Sequence, residues 1–450
     1  MQSVTVIKDR HNIIYNPMEG FQMANKNDKD KNETPVEPTN AKVKNADQPK
    51  FPKLFGLAML LGPFVWLAPA GNVRNTLLPQ YFSQIDPSGK VAAIALMASV
   101  SSIVAAVANI VFGGLSDITR TRWGKRKPWI LGGTIVESGL ICVVANLHDI
   151  WAIVVIWGFV AAAENAVAAA MVAQEADRIA PRWRGTISTL YGIGYTAIQV
   201  VTMIAAQFLG NPKMGMYVMA AIGFVMGIIH VLFAREGSNL DEPREKFSFR
   251  SLWLHFSLPT KGARDYWYAV AGKLMMVMGG TIATAYMLYI LTDYMHLGQQ
   301  NAGQTLSEIS LINLVFGVLF TAISGPIADK MGRLKAPVAL STLLIGIAQF
   351  FPFFDNKPWT ILTYAVLAAI GNGVYNAVDG ALNLAVLPNA ETSGKDMGFI
   401  NLANTLSQIS GTVVASLIVT YLGGYKAIFP ASFVIELIGA ILIFRIKSVK

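Results

Sequence analysis

Four ionisable side chains stand inside stretches that are otherwise apolar: Arg74, Glu164, Lys273 and Asp379. Charge in apolar surroundings is costly, so two acids and two bases held there point to pairing, proton exchange or contact with a polar ligand. Asn372, Asn376, Asp379 and Asn383 follow the i, i+4, i+7, i+11 spacing of one helix face, and Tyr375 flanks them. Ser188, Tyr191, Tyr195, Gln199 and Thr202 form a second stripe, and Asn401, Asn404 and Gln408 a third. Amides and hydroxyls both donate and accept, and aromatic rings cover C–H faces, which suits a hydroxyl-rich ligand. The same residue types also tie helices to one another. Snorkelling to an interface is the competing reading for Lys273, and an interfacial anchor for Arg74; Glu164 sits mid-segment with no such escape. Glu137, Glu308 and Glu436 read as interhelical or interfacial groups.

The elements that carry these residues are long and apolar. The chain has 450 residues, 53% hydrophobic and only 14% charged, against about 25% charged in an ordinary soluble domain. Twelve segments approach or exceed the ~20 residues that span a bilayer as a helix. They lie near 54–82, 90–114, 128–146, 150–173, 187–209, 215–234, 266–291, 304–326, 336–354, 359–386, 397–421 and 427–444. The expected organisation is a polar, disordered tail (1–53), six spans (54–234), a polar connector (235–265) and six further spans (266–450). Of the 36 Lys and Arg, four (Lys90, Lys213, Lys357, Lys426) fall on one side, two lie within spans and the remaining 30 fall on the other side. The positive-inside bias places both termini in the cytoplasm. The net charge of +9 therefore belongs to topology, and nucleic acid is not an expected partner. No P-loop, nucleophile elbow or i, i+4 histidine pair is present, and the single cysteine, Cys142, excludes an intrachain disulfide. We expect no enzyme activity, no cofactor and no metal site.

The chain also repeats. GGLSD (113–117) returns as SGPIAD (324–329), matching Gly113 to Gly325 and Asp117 to Asp329. A basic tight turn follows each: RWGKRK with Arg122, Gly124 and Arg126, then KMGRLK with Gly332 and Arg333. Asn165 matches Asn372 in the same way. Two six-span halves with matching landmarks indicate a parallel repeat. Each acid and its basic turn form a candidate cytoplasmic latch.

G-x-L-x-D followed by G-[RK]-[RK], twice in a twelve-span chain, resembles the major facilitator superfamily. DITRTRWGKRKPWI, together with WGFVAAAEN (157–165), resembles the glycoside–pentoside–hexuronide cation symporters and the sucrose-type proton symporters. The resemblance implies an all-α fold of two pseudo-symmetric six-helix halves, with Arg74, Glu164, Lys273 and Asp379 on cavity-lining helices. It also implies a secondary transporter working by alternating access. The preferred solute is a sugar or glycoside moved with protons by a monomer in the cell membrane, with Glu164 or Asp379 bearing the proton. An exporter of amphipathic solutes and a non-transporting membrane sensor are the other readings. Sodium-coupled members carry acids at positions that align with Ala105, Asn109 and Asn165. Their replacement removes the carboxylates from the oxygen-ligand set a hard cation wants, which favours protons or no coupling ion. Lys273 and Asp379 are expected at similar depth. Arg74 is expected roughly 9 Å further outward than Glu164 at 1.5 Å per residue, which makes that pairing less secure.

Overall fold

A computed structural model describes residues 43–241, 263–387 and 393–449. Among them it is all helical. The first half holds α1 (Lys53–Ile85), α2 (Lys90–Ile118), α3 (Lys127–Val144), α4 (Ile150–Arg178), α5 (Pro181–Ala206) and α6 (Pro212–Phe233). The second holds α7 (Arg264–Thr284, continued by Met287–Tyr294), α8 (Gln299–Met331), α9 (Lys335–Phe354), α10 (Pro358–Ala385), α11 (Ser393–Tyr421) and α12 (Ile428–Phe444). Ten of these helices are long and apolar enough to cross a membrane, and α7 makes an eleventh if its 44° bend is counted as one span. The twelfth, α11, opens on the polar run SGKDMGFINLANTLSQ, which dilutes its hydropathy.

Local chemistry sets the helix ends. Pro181, Pro212 and Pro358 start their helices, where the missing N–H costs nothing. Asp149 caps α4 by accepting from the Ala152 amide at 2.8 Å, and Asn211 caps α6 by accepting from that of Met214 at 3.1 Å. Pro63, Pro69 and Pro79 interrupt α1, which passes through a π-helical turn at Val73–Leu77. Its counterpart α7 has a π turn at Ile290–Tyr294.

Packing repeats between the halves. Helices α2 and α4, α3 and α4, α3 and α6, α1 and α5, and α1 and α6 pack together. So do α8 and α10, α9 and α10, α9 and α12, α7 and α11, and α7 and α12. A Cβ on Gly194 of α5 would overlap the Leu60 carbonyl of α1, and one on Gly411 of α11 would come within 2.9 Å of the Met278 carbonyl of α7. Small residues let helix backbones approach where no hydrophobic force joins helices. The halves meet through α2 against α11 and α5 against α8. Among the described residues, polar contacts between halves gather at the face opposite the basic loop 119–126. Lys90 pairs with Asp293 at 2.5 Å and lies 4.4 Å over the Tyr289 ring. Tyr286 donates to the Val91 carbonyl, Tyr289 to that of Pro79, and Gln207 to the Ser307 hydroxyl.

Residues 1–42 of the expected tail and 242–262 of the connector lie outside the described residues. Residues 43–52, expected to be disordered, instead dock beside the α4–α5 turn. The Gln48 side chain accepts from the Ala180 amide at 2.9 Å, Trp183 donates to the Gln48 carbonyl at 3.0 Å, and Phe51 meets Trp183 edge-on.

Candidate functional site

A polar cavity lies between the halves, sealed on the far face by the contacts above. Its first lobe, about 430 Å³, is lined by Tyr195 of α5, Lys273 and Thr284 of α7, Asn372, Tyr375, Asn376 and Asp379 of α10, and Asn404 and Gln408 of α11. A second lobe, about 420 Å³, adds Arg74 and Asn75 of α1, Ser101 of α2, Gln199 of α5 and Asn313 of α8. The lobes share Val277, Thr281, Thr284 and Gln408. Tyr195 is 54% exposed, and Asn372 and Asn376 are also exposed.

In the first lobe Lys273 Nζ donates to Asp379 Oδ2 at 2.6 Å. Asn383 Nδ2 donates to the same oxygen at 2.8 Å from one turn further along α10. The i, i+4 spacing on α10 places the two amide and acid groups to meet. Asn372 returns its amide to the Ala368 carbonyl of its own helix at 2.9 Å, which leaves its oxygen for a ligand. The Tyr375 side chain is buried beside Asp379.

The second lobe is lined by Arg74, whose partner Glu164 is buried behind the lining. Arg74 Nη1 stands 3.7 Å from Glu164 Oε2, although rise along the chain separates the two in depth. The irregular α1 and the length of the arginine side chain close that gap. Behind them Asn109 donates to the Asn165 oxygen at 3.5 Å, so two of the three positions where the sodium-coupled resemblance expects acids hold an amide pair. Glu137 and Glu436 are fully buried; among the described residues no hydrogen bond reaches Glu137, and Glu436 lies beside Gln349.

The stripes are only partly brought together. Tyr195, Gln199 and Thr202 line the cavity. Tyr191 instead packs in the α1–α5 seam, near Gly62 and Met171, and Ser188 donates to Glu175. A break in α5 between Ala197 and Gln199 separates the two sets. The side chains of Asp329 and Asn401 lie outside the described residues.

The first basic turn is held within its own half. Arg126 donates to Asp117 and Ser116, and its Nε donates to Asp177 Oδ2 at 2.9 Å. Lys125 reaches the same Asp177 oxygen at 3.1 Å. Glu236, just past α6, accepts from the Arg126 amide at 3.1 Å and from Gln174 at 2.6 Å. Gly124 has φ +92° and Gly332 φ +59°, so both repeats turn through the left-handed region that favours glycine. A Cβ on Gly124 would also run into the Glu236 side chain. Gly113 lies in α2 and Gly325 in α8, and Arg122 and Arg333 are exposed.

Sequence reasoning missed Asn75, Ser101 and Asn313 in the cavity and Asp177 and Glu236 in the basic-loop cluster. Asn75 adjoins Arg74 and was findable. The others are single polar residues whose meaning depends on which helices pack together. Chemically, the arrangement offers Asp379, neutralised by Lys273, in a cavity rich in amide and hydroxyl groups, and Glu164 buried beside it and paired with Arg74.

A family model described as Major Facilitator Superfamily matches residues 70–324 and 275–450. The fold is similar to that of the nucleoside transporter NupG, with a TM-score of 0.65 and 16% identity over 87% of this chain and 98% of that one. It is also similar to a human organic anion transporter, with a TM-score of 0.62 and 15% identity over 88% and 100% of the two chains. A peptide transporter in complex with sulfate gives a TM-score of 0.68 and 13% identity over 87% and 94%. A lactose permease from Lactobacillus helveticus is 46% identical over 41 residues, a stretch that covers 9% of this chain and 6% of the permease.

Proposed function

Because the chain belongs to the Major Facilitator Superfamily, we propose that its central cavity carries a sugar or glycoside together with a proton, by alternating access. The chain is a multi-pass membrane protein and a secondary transporter of major facilitator type, with a small-molecule solute.

The observation that carries this reading is the Lys273–Asp379 pair set among Asn372, Asn376, Asn404, Gln408 and three tyrosines in one cavity lobe. Such a lobe donates to and accepts from several hydroxyls at once. The 41-residue likeness to a lactose permease lends support. A solute hydroxyl that engages Asp379 competes with Lys273, and a proton on the carboxyl completes the exchange. Glu164, neutralised by Arg74, is the second candidate carrier. The charge bias supports a cytoplasmic basic loop and cytoplasmic termini; in that orientation the contacts of Lys90, Asp293, Tyr286 and Tyr289 close the outer side of the cavity. The protein acts as a monomer in the cell membrane.

The test is uptake of a labelled panel of sugars, nucleosides and peptides into proteoliposomes. A sugar accumulating under an inward proton gradient is the expected result. Accumulation of a nucleoside or peptide alone would overturn the solute class.

A further inference from the structure

On the outer flank of the first half, α2, α3 and α4 enclose an apolar groove of about 630 Å³. Phe112, Trp129, Val136, Leu140 and Phe159 form its walls. Gly132 has no atom within 4 Å of where a Cβ would stand, so the groove remains open there. At the basic end Phe112 and Trp129 meet at 5.5 Å between ring centroids. The Trp129 indole donates to the Thr119 hydroxyl at 2.8 Å, so these two polar groups of the lining satisfy each other.

Arg120 and Arg122 follow Thr119 directly. Both are exposed, and among the described residues neither makes a hydrogen bond or ion pair. Their neighbours Lys125 and Arg126 are committed to Asp177 and Asp117. Trp123, between them, is 64% exposed, as expected of a side chain at the membrane–water interface. Two exposed guanidinium groups, unpaired among the described residues, therefore lie within three residues of Thr119, a lining residue of this slot.

We propose that this groove binds one anionic phospholipid, with an acyl chain along Phe112, Val136 and Phe159 and its phosphate at Arg120 and Arg122. Guanidinium and phosphate match in charge and in hydrogen-bonding geometry. The bound lipid braces the Thr119–Trp129 contact, two residues from the Asp117–Arg126 pair. It thereby links membrane composition to the stability of the basic turn. The site is independent of which solute the cavity carries.

Native mass spectrometry of the full chain, delipidated and then supplied with phosphatidylglycerol or phosphatidylcholine, tests this. The wild type should retain one phosphatidylglycerol in preference to phosphatidylcholine. Arg120→Gln with Arg122→Gln, both on the surface, should lower that preference by about fivefold per arginine. Gly132→Leu should fill the slot and abolish retention. Brominated phosphatidylglycerol should quench a fluorescence component that disappears in Trp129→Phe. Equal retention of the two lipids by the wild type, or retention unchanged by the paired arginine variant, would overturn the proposal.

Discussion

Replacing Asp379 by Asn is the sharpest perturbation of the cavity. Asp379 is the acid, and Lys273 the base, among the residues that line the first lobe. Their side chains are 10% and 13% exposed and meet at 2.6 Å. Removing one member of a fully buried pair costs about 3–5 kcal/mol, because the other is left as an uncompensated charge. This pair faces a cavity that admits water, so screening reduces the cost toward the ~1.5–3 kcal/mol of a hydrogen bond to a charged group. At 1.4 kcal/mol per factor of ten, that is roughly a 10- to 150-fold loss. The folded-to-unfolded ratio of Asp379→Asn should fall by at least about tenfold on this reasoning, lowering its thermal unfolding midpoint, and its gradient-driven uptake should be lost with the proton-accepting carboxyl. The double variant Lys273→Gln, Asp379→Asn removes the orphaned cation. It should recover the unfolding midpoint but not the uptake, because the proton-accepting carboxyl is still missing. Uptake per unit of reconstituted protein and unfolding followed by intrinsic fluorescence separate the two effects. Gradient-driven uptake restored in the double variant would refute a proton-carrying role and leave the pair as a structural tie.

Lys90→Gln breaks the inter-half pair with Asp293. A partly exposed pair contributes about 0.2–1 kcal/mol, so spin-label distances across the far face should show a rise of about 1.4- to fivefold in the population open on that side. Gly194→Val forces a side chain onto the Leu60 carbonyl and should sharply reduce the amount of folded protein in the membrane, measured by fluorescence-detected gel filtration. Asp117 is half exposed and Arg126 keeps Asp177, so Asp117→Asn should leave membrane abundance and solute binding near wild type. Its turnover should slow, and wild-type turnover would show the basic loop to be an anchor alone.

The spans were legible because a bilayer dictates length and apolarity, and helix bounds differ from the sequence reading by a few residues. The repeat was legible because Gly124 and Gly332 each meet a backbone requirement that few other residues satisfy. The Lys273–Asp379 pairing followed from depth along two regular helices. The Arg74–Glu164 pairing did not, because α1 is broken by three prolines and a π turn, so residue count no longer measures depth. Tyr191 was placed with Tyr195 by spacing alone. In the fold, close packing at Gly62 turns it toward α1, and α5 breaks before Gln199. Lys90 counted only as one charge on the sparse side, since nothing in its neighbourhood announces Asp293, 203 residues away.

The most direct test of coupled transport is simultaneous measurement of solute and proton entry in lightly buffered proteoliposomes. Proton-coupled sugar transport requires that an added sugar carry protons inward in fixed ratio. An uncoupler should abolish sugar accumulation, and a sodium gradient should not replace the proton gradient. Sugar entry without accompanying protons, or accumulation that needs sodium, would contradict it.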